Sequence, residues 1–149
     1  SIDTATVRKH LYTLASDEME GRGTGTPGIE KAAQYIESEF KRIGLKTYAN
    51  LKDYRQTFTF TNRRSKEEIT AFNVIGVLEG KSRKDEYVVV SAHYDHLGWG
   101  EEGSLHLSEN NIKAIHNGAD DNASGVSALF YIANKLKDKK LNHNIYFKQ

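Results

Sequence analysis

The sequence predicts an α/β sandwich folded as one domain. Three observations carry that prediction. Three segments repeat apolar residues at helical spacing, and shorter β-patterned runs are interleaved with them. A length of 149 residues fits a single domain. Apolar residues make up 38%, including 8 Tyr, 6 Phe and 1 Trp, which is enough to bury a core and excludes disorder.

The first helix is read from Val7, Leu11 and Leu14, with Asp3 or Thr4 as N-cap. A glycine-rich loop, Gly21 to Gly28, holds the only proline. Thr26 before Pro27 suits an N-cap followed by the first helical position. The second helix places Ile29, Ala32, Ala33, Ile36, Phe40 and Ile43 on one face. Lys41 and Arg42 complement its dipole, and Gly44 ends it. The period then changes. Thr57 to Thr61 alternates around Phe58 and Phe60 as a half-buried strand, residues 62–68 form a polar turn, and Phe72 to Leu78 is a second strand. Tyr87 to Ala92 is almost continuously apolar, as in a strand buried on both faces. Residues 98–118 read as a long loop. Ala123 to Lys137 is the third helix, with Val126, Leu129, Phe130, Ala133 and Leu136 in one stripe, and Ile145 to Phe147 begins another strand.

Charge and composition remove several function classes. Lys plus Arg is 21 and Asp plus Glu is 20, a formal charge of +1, so neither nucleic acid nor an anionic membrane is expected as the main partner. No apolar run is long enough to span a membrane. The absence of Cys excludes disulfides, thiolate zinc sites and Cys nucleophiles. The chain opens on Ser1 rather than Met, which reads as a processed or engineered product from which any signal peptide has gone.

Two motifs are set aside. Gly23, Gly25 and Gly28 satisfy G-x-G-x-x-G, but SDEMEGR precedes them rather than a strand. The ribose-binding acid expected about 20 residues on is also missing. Gly80-Lys81-Ser82 resembles the end of a phosphate loop, yet Gly76 lies one residue too close and no helix follows. A nucleotide-binding protein is therefore the distant third hypothesis.

The chemistry concentrates in two segments. His93-Tyr94-Asp95-His96-Leu97-Gly98 follows the apolar strand, and Asn117-Gly118-Ala119-Asp120-Asp121-Asn122-Ala123-Ser124-Gly125 precedes the third helix. In open α/β sheets ligands bind at the carboxyl ends of strands. Zinc takes imidazole nitrogen and carboxylate oxygen, and one carboxylate can bridge two metals. Asp95, two residues along an extended segment, points to the side of His93 and can hold its other ring nitrogen. Spacing alone leaves a second reading equally open: a turn histidine beside an ordinary helix N-cap at Asp120 or Asn122.

VVVSAHYDHLG and NGADDNASG resemble metallopeptidase family twenty-eight, the co-catalytic di-zinc aminopeptidases. The likeness extends to LASDEMEGRGTGTPG, EKAAQYIESEFKRIGL and FNVIGVLEGK, covering most of the chain outside the 60s and 101–115 loops. The resemblance implies a three-layer α/β/α sandwich with a mixed sheet, of which this chain lacks the carboxy-terminal strands. It implies His93 as a ligand of one zinc, Asp120 as the ligand bridging two zincs, Asp95 as the orienting partner of His93, and a cis Asp120–Asp121 peptide. It also implies a peptide substrate cut at its amino terminus by a zinc-activated water, with a Glu as general base, and a secreted or periplasmic home. That Glu pair follows the strand near Ile145 in the family and has no counterpart here; Glu101, Glu102 and Glu109 do not match it by position. Residues 1–149 are thus expected to be a single, truncated peptidase-like domain, inactive alone, whose unpaired sheet edge favours self-association. The rival hypothesis is a non-catalytic scaffold or binding domain of the same fold.

The remaining candidates are weaker. His96 reads first as a loop histidine and second as an accessory ligand. His106 and His116 read as loop residues, and His10 and His143 as solvated ones. Trp99 packs its loop or lines a pocket. The sequon Asn122-Ala123-Ser124 sits at the candidate site and is not expected to be glycosylated. The basic run from Lys135 to Lys140 compensates a helix dipole.

Overall fold

A computed structural model describes residues 3–100, 114–139 and 141–149. In chain order the elements are α1 (Thr4–Leu14), a 3₁₀ segment (Asp17–Arg22), α2 (Pro27–Ile43), β1 (Lys46–Thr47), β2 (Arg55–Thr61), β3 (Glu68–Leu78), β4 (Arg83–Ser91), a π-type turn (Ala119–Ala123), α3 (Ser124–Leu136) and β5 (His143–Lys148). They fall into two compact units, one drawn from Ser1–Gln34 and His93–Ala128, the other from Tyr35–Ala92 and Leu129–Gln149. Glu101, Glu102, His106 and Glu109 lie outside the described residues.

The second unit holds the sheet, in the order β1-β3-β5-β4, with β2 pairing β3 as a separate ribbon. β4 and β5 run parallel, while β3 is antiparallel to β1, β2 and β5. The α/β class and the mixed sheet expected from the sequence are both present. Register fixes the faces. Gly76 of β3 pairs with Phe147 of β5, so both look to the side on which Phe40 of α2 lies. Phe40 meets Phe130 of α3 edge-on at 6.0 Å and Tyr54 at 5.8 Å. A methyl group on Gly76 would sit 2.7 Å from Leu45 Cδ1 and 2.9 Å from Phe40 Cδ2, so those side chains would have to shift to admit one. The other face carries Tyr146, stacked on Tyr87 at 5.0 Å and edge-on to Tyr48 at 5.3 Å.

Two expectations about this unit are corrected. β4 is not buried on both faces: Tyr87, Val88 and Val89 are 60%, 53% and 51% exposed. The apolar run is real, but among the described residues β4 is the last strand in the order and has a neighbour on one side only. Phe58 and Phe60 are likewise exposed, because their strand pairs only with β3 in a two-stranded ribbon. The ribbon's tip is the expected polar turn, where Asn62 Oδ1 accepts from the Arg64 and Ser65 amides at 2.9 and 3.1 Å.

The helices follow their patterns closely. Asp3 caps α1, its carboxylate accepting from the Ala5 and Thr6 amides at 3.2 and 3.3 Å. These bonds favour the charged carboxylate, so its pKa is held below the usual value, the Thr6 hydroxyl contributing most. His10, expected to be solvated, is buried: it lies one turn before Leu14 on the inward face of α1. In α2 the predicted stripe from Ile29 to Ile43 is buried throughout. Gly44, at φ +93°, closes α2 by donating its amide to Phe40 O at 3.0 Å.

In the first unit Gly28 of the rejected dinucleotide motif has a packing role. A methyl group on Gly28 would lie 2.1 Å from Met19 O and 2.9 Å from Glu20 Cβ. Backbone cannot yield as a side-chain tip can. Gly28→Ala is therefore expected to cost about 3 kcal/mol, at the upper end of overpacking penalties, read as a shift of the denaturant midpoint. A variant as stable as the parent would show that this crossing of chain segments is not made.

Candidate zinc-binding edge

The site lies wholly within the first unit. β4 ends at Ser91, and the chain then runs extended from His93 into the turn at Gly98. Opposite stands the Ala119–Ala123 turn, entered through Gly118 at φ +60°, ψ +46°, a left-handed conformation suited to glycine. Within it Asp121 and Asn122 leave helical geometry. That departure swings the Asp121 carboxylate toward His93, with Oδ1 3.1 Å from Nε2. The other ring nitrogen, Nδ1, lies 3.2 Å from both the carboxylate Oδ1 and the main-chain O of Asp95. His96 Nδ1 lies 3.7 Å from Asp121 Oδ2, too far for a hydrogen bond. Asn122 donates to His93 O at 3.3 Å, tying the two segments together, and its amide group packs where a Cβ on Gly125 would sit.

Of the sequence-predicted residues, His93 and Asp95 are brought together. Asp120 is not the acid that meets them: its neighbour Asp121 is, while the Asp120 carbonyl accepts from Ser124 Oγ at 2.8 Å. The expected cis Asp120–Asp121 bond is also displaced by one residue; the cis peptide is Asp121–Asn122. His116 turns Nδ1 to Ala114 O at 2.9 Å, His143 Nε2 pairs with Glu86 at 2.8 Å in the other unit, and Trp99 is exposed.

The residue that sequence reasoning missed is Arg22. Its side chain is wholly buried and reaches the main chain of both site segments. Burial pulls its guanidinium below the ordinary arginine value, and the charges of Asp95 and Asp121 push back. Burial likewise lowers His96, against Asp121, with Arg22 and His116 adding to the lowering.

The donor chemistry fits zinc in kind. A separation of 3.1 Å between imidazole nitrogen and carboxylate oxygen is close to the roughly 3.3 Å between two donors on one tetrahedral zinc. In number the set is partial. Among the described residues no group of three or more His, Cys, Asp or Glu side chains converges to hold a metal.

Comparison with known proteins places the family and the fold. The profile of peptidase family M28 matches residues 73–148, about half of the chain. The chain belongs to that family, a group of co-catalytic zinc peptidases. The alkaline phosphatase isozyme conversion protein of Escherichia coli is 26% identical over 145 residues, 95% of this chain and 39% of its own length. Among solved structures, a glutaminyl cyclase from Bacteroides thetaiotaomicron bound to N-acetylhistamine superposes with a TM-score of 0.77 at 21% identity. That match covers 98% of this chain and 45% of the cyclase. A zinc-dependent exopeptidase from Parabacteroides distasonis gives 0.73 at 23%, covering 96% and 45%. A glutaminyl cyclase from Fimbriiglobus ruber gives 0.76 at 21%, covering 98% and 44%. At these identities the superpositions establish the fold. The chain spans about two fifths of the length of the curated relative and less than half of each of these solved chains. Among the described residues no helix is long and apolar enough to cross a membrane.

Proposed function

We propose that this chain, taken alone, is a scaffold carrying a two-donor zinc half-site, and that exopeptidase chemistry belongs to a longer chain built on it. The observation that supports the reading is the His93 Nε2–Asp121 Oδ1 approach of 3.1 Å with Nδ1 held at Asp95. A catalytic zinc normally takes three protein ligands and keeps one open position, so two donors hold the ion weakly. In this reading His93 and Asp121 are the ligands, and Asp95 keeps the imidazole oriented. Zinc, when bound, supplies Lewis acidity toward the scissile carbonyl of an amino-terminal residue. The chain's own part is to aim the two donors at one point and to fix the ring. The general-base Glu and further ligands that the family resemblance implies have no counterpart in residues 1–149.

Calorimetric titration with zinc, run beside an aminoacyl-anilide assay, tests both halves of the proposal. The expected result is weak zinc binding to the parent chain, none to a folded His93→Ala variant, and no hydrolysis by either. Binding unchanged by His93→Ala would sink the ligand assignment. Hydrolysis by the parent but not by His93→Ala would make the chain itself the catalyst.

A further inference from the structure

We propose that Arg22 is the positioning residue of the zinc-binding edge, setting the spacing of His93 and Asp121 by gripping both segments that carry them; this rests on the two-donor reading above. The guanidinium is completely buried, and an isolated charge there would cost several kcal/mol unless satisfied. It is satisfied almost entirely by main-chain carbonyls. Nε donates to Tyr94 O at 2.6 Å, Nη1 to Leu14 O at 2.5 Å and Asn117 O at 2.8 Å, and Nη2 to Gly118 O at 2.9 Å. Tyr94 adjoins His93, and Gly118 is the left-handed residue that opens the Asp121 turn. The Arg22 carbonyl also accepts from the His96 amide at 2.9 Å, so one residue holds the histidine segment by both its side chain and its backbone.

The geometry asks for arginine in particular. Four diverging carbonyls are reached by a rigid planar fork of five N–H donors. Lysine has three donors on one atom and cannot span them. The buried charge has a second effect. Its bonded acceptors are neutral carbonyls, while Asp95 and Asp121 face it through space. It offsets the mutual repulsion of these two acids and lets both stand beside one imidazole. The backbone at Arg22 is left-handed, φ +50°, and the neighbouring Gly21 admits no Cβ, which would lie 2.4 Å from Gly98 O. This residue's conformation is therefore set by the crossing of the chain segments.

The test uses Arg22→Lys with two readouts. In the metal-free protein, the His96 and Ala123 amides are expected to exchange at least tenfold faster, while the Ala32 and Ala33 amides of α2 in the same unit are unchanged. A merely destabilising substitution would speed both sets together. In cobalt titration the Kd is expected to rise about 10–100-fold, as for loss of a ligand-orienting partner. Ile29→Ala, a buried truncation in the same unit, should lower the melting temperature without moving that Kd. Local amides exchanging as in the parent, or an unchanged cobalt Kd, would overturn the proposal. Loosened local exchange in a protein whose cobalt binding ignores His93→Ala would uphold the positioning role and overturn the zinc reading instead. If Arg22→Lys does not fold, Arg22→Gly accepts the positive φ. Restoration of its cobalt binding by millimolar methylguanidinium, but not by methylammonium, is then expected, and no restoration would overturn the proposal.

Discussion

Phe40→Ala is expected to remove about 3–5 kcal/mol of stability, the largest loss from any single truncation in the sheet-bearing unit. The side chain has no exposed surface and meets two aromatic rings edge-on, Tyr54 at 5.8 Å and Phe130 at 6.0 Å. Each such pair adds about 0.5–1.5 kcal/mol beyond the area it buries. It also lies against the bare backbone at Gly76, which has no side chain that could turn into the cavity. Against a total of about 5–15 kcal/mol for an ordinary domain, the loss leaves the unit marginal. Phe58→Ala is the internal comparison: its ring is 43% exposed on the β2–β3 ribbon, and its loss should stay under about 1 kcal/mol. Urea midpoints for the two variants check the contrast. Equal shifts would mean that the Phe40–Phe130 contact does not close this core.

The contrast between these two phenylalanines also marks what the sequence can and cannot convey. Period is local, so α2 was legible down to each buried apolar position from Ile29 to Ile43, and its Gly44 stop with it. Pairing is not local. Tyr87-Val88-Val89-Val90 reads the same whether its strand is central or at an edge, and only the strand order settles that. The two-residue strand β1 carries no period at all. At the site, residue types and their placement at a strand end pointed to His93 and Asp95, which lie 3.2 Å apart. Asp120 and Asp121 are chemically identical neighbours, and which of them faces His93 is set by the backbone of a non-helical turn that spacing does not encode. Arg22 borders the glycine-rich loop, where no period or spacing singles it out. The signal available was the cluster of glycines around it, which permits the close segment crossings that bury it.

Asp121→Asn is expected to abolish detectable zinc binding, a loss of at least about 100-fold, whereas Asp120→Asn should change the affinity by less than about threefold. The side chain of Asp121 is 68% exposed, so an isosteric amide there should move stability by no more than about 0.5 kcal/mol. Loss of binding can then be read as loss of a ligand rather than of the fold. Asparagine keeps one oxygen near His93 Nε2 but removes the negative charge, and zinc's preference for an anionic oxygen does the rest. Asp120 sits one residue earlier, before the chain leaves helical geometry, and its carbonyl is tied back to Ser124 Oγ at 2.8 Å. The assignment that the family resemblance implies, with Asp120 as the bridging ligand, predicts the reverse order of the two variants. Isothermal titration of both against the parent decides between them. Binding lost in Asp120→Asn and kept in Asp121→Asn would return the ligand role to Asp120. The double comparison also bears on Arg22: with Asp121 neutral, the buried guanidinium keeps only Asp95 as a through-space counter-charge, so any loss of stability in Asp121→Asn should exceed that in Asp120→Asn.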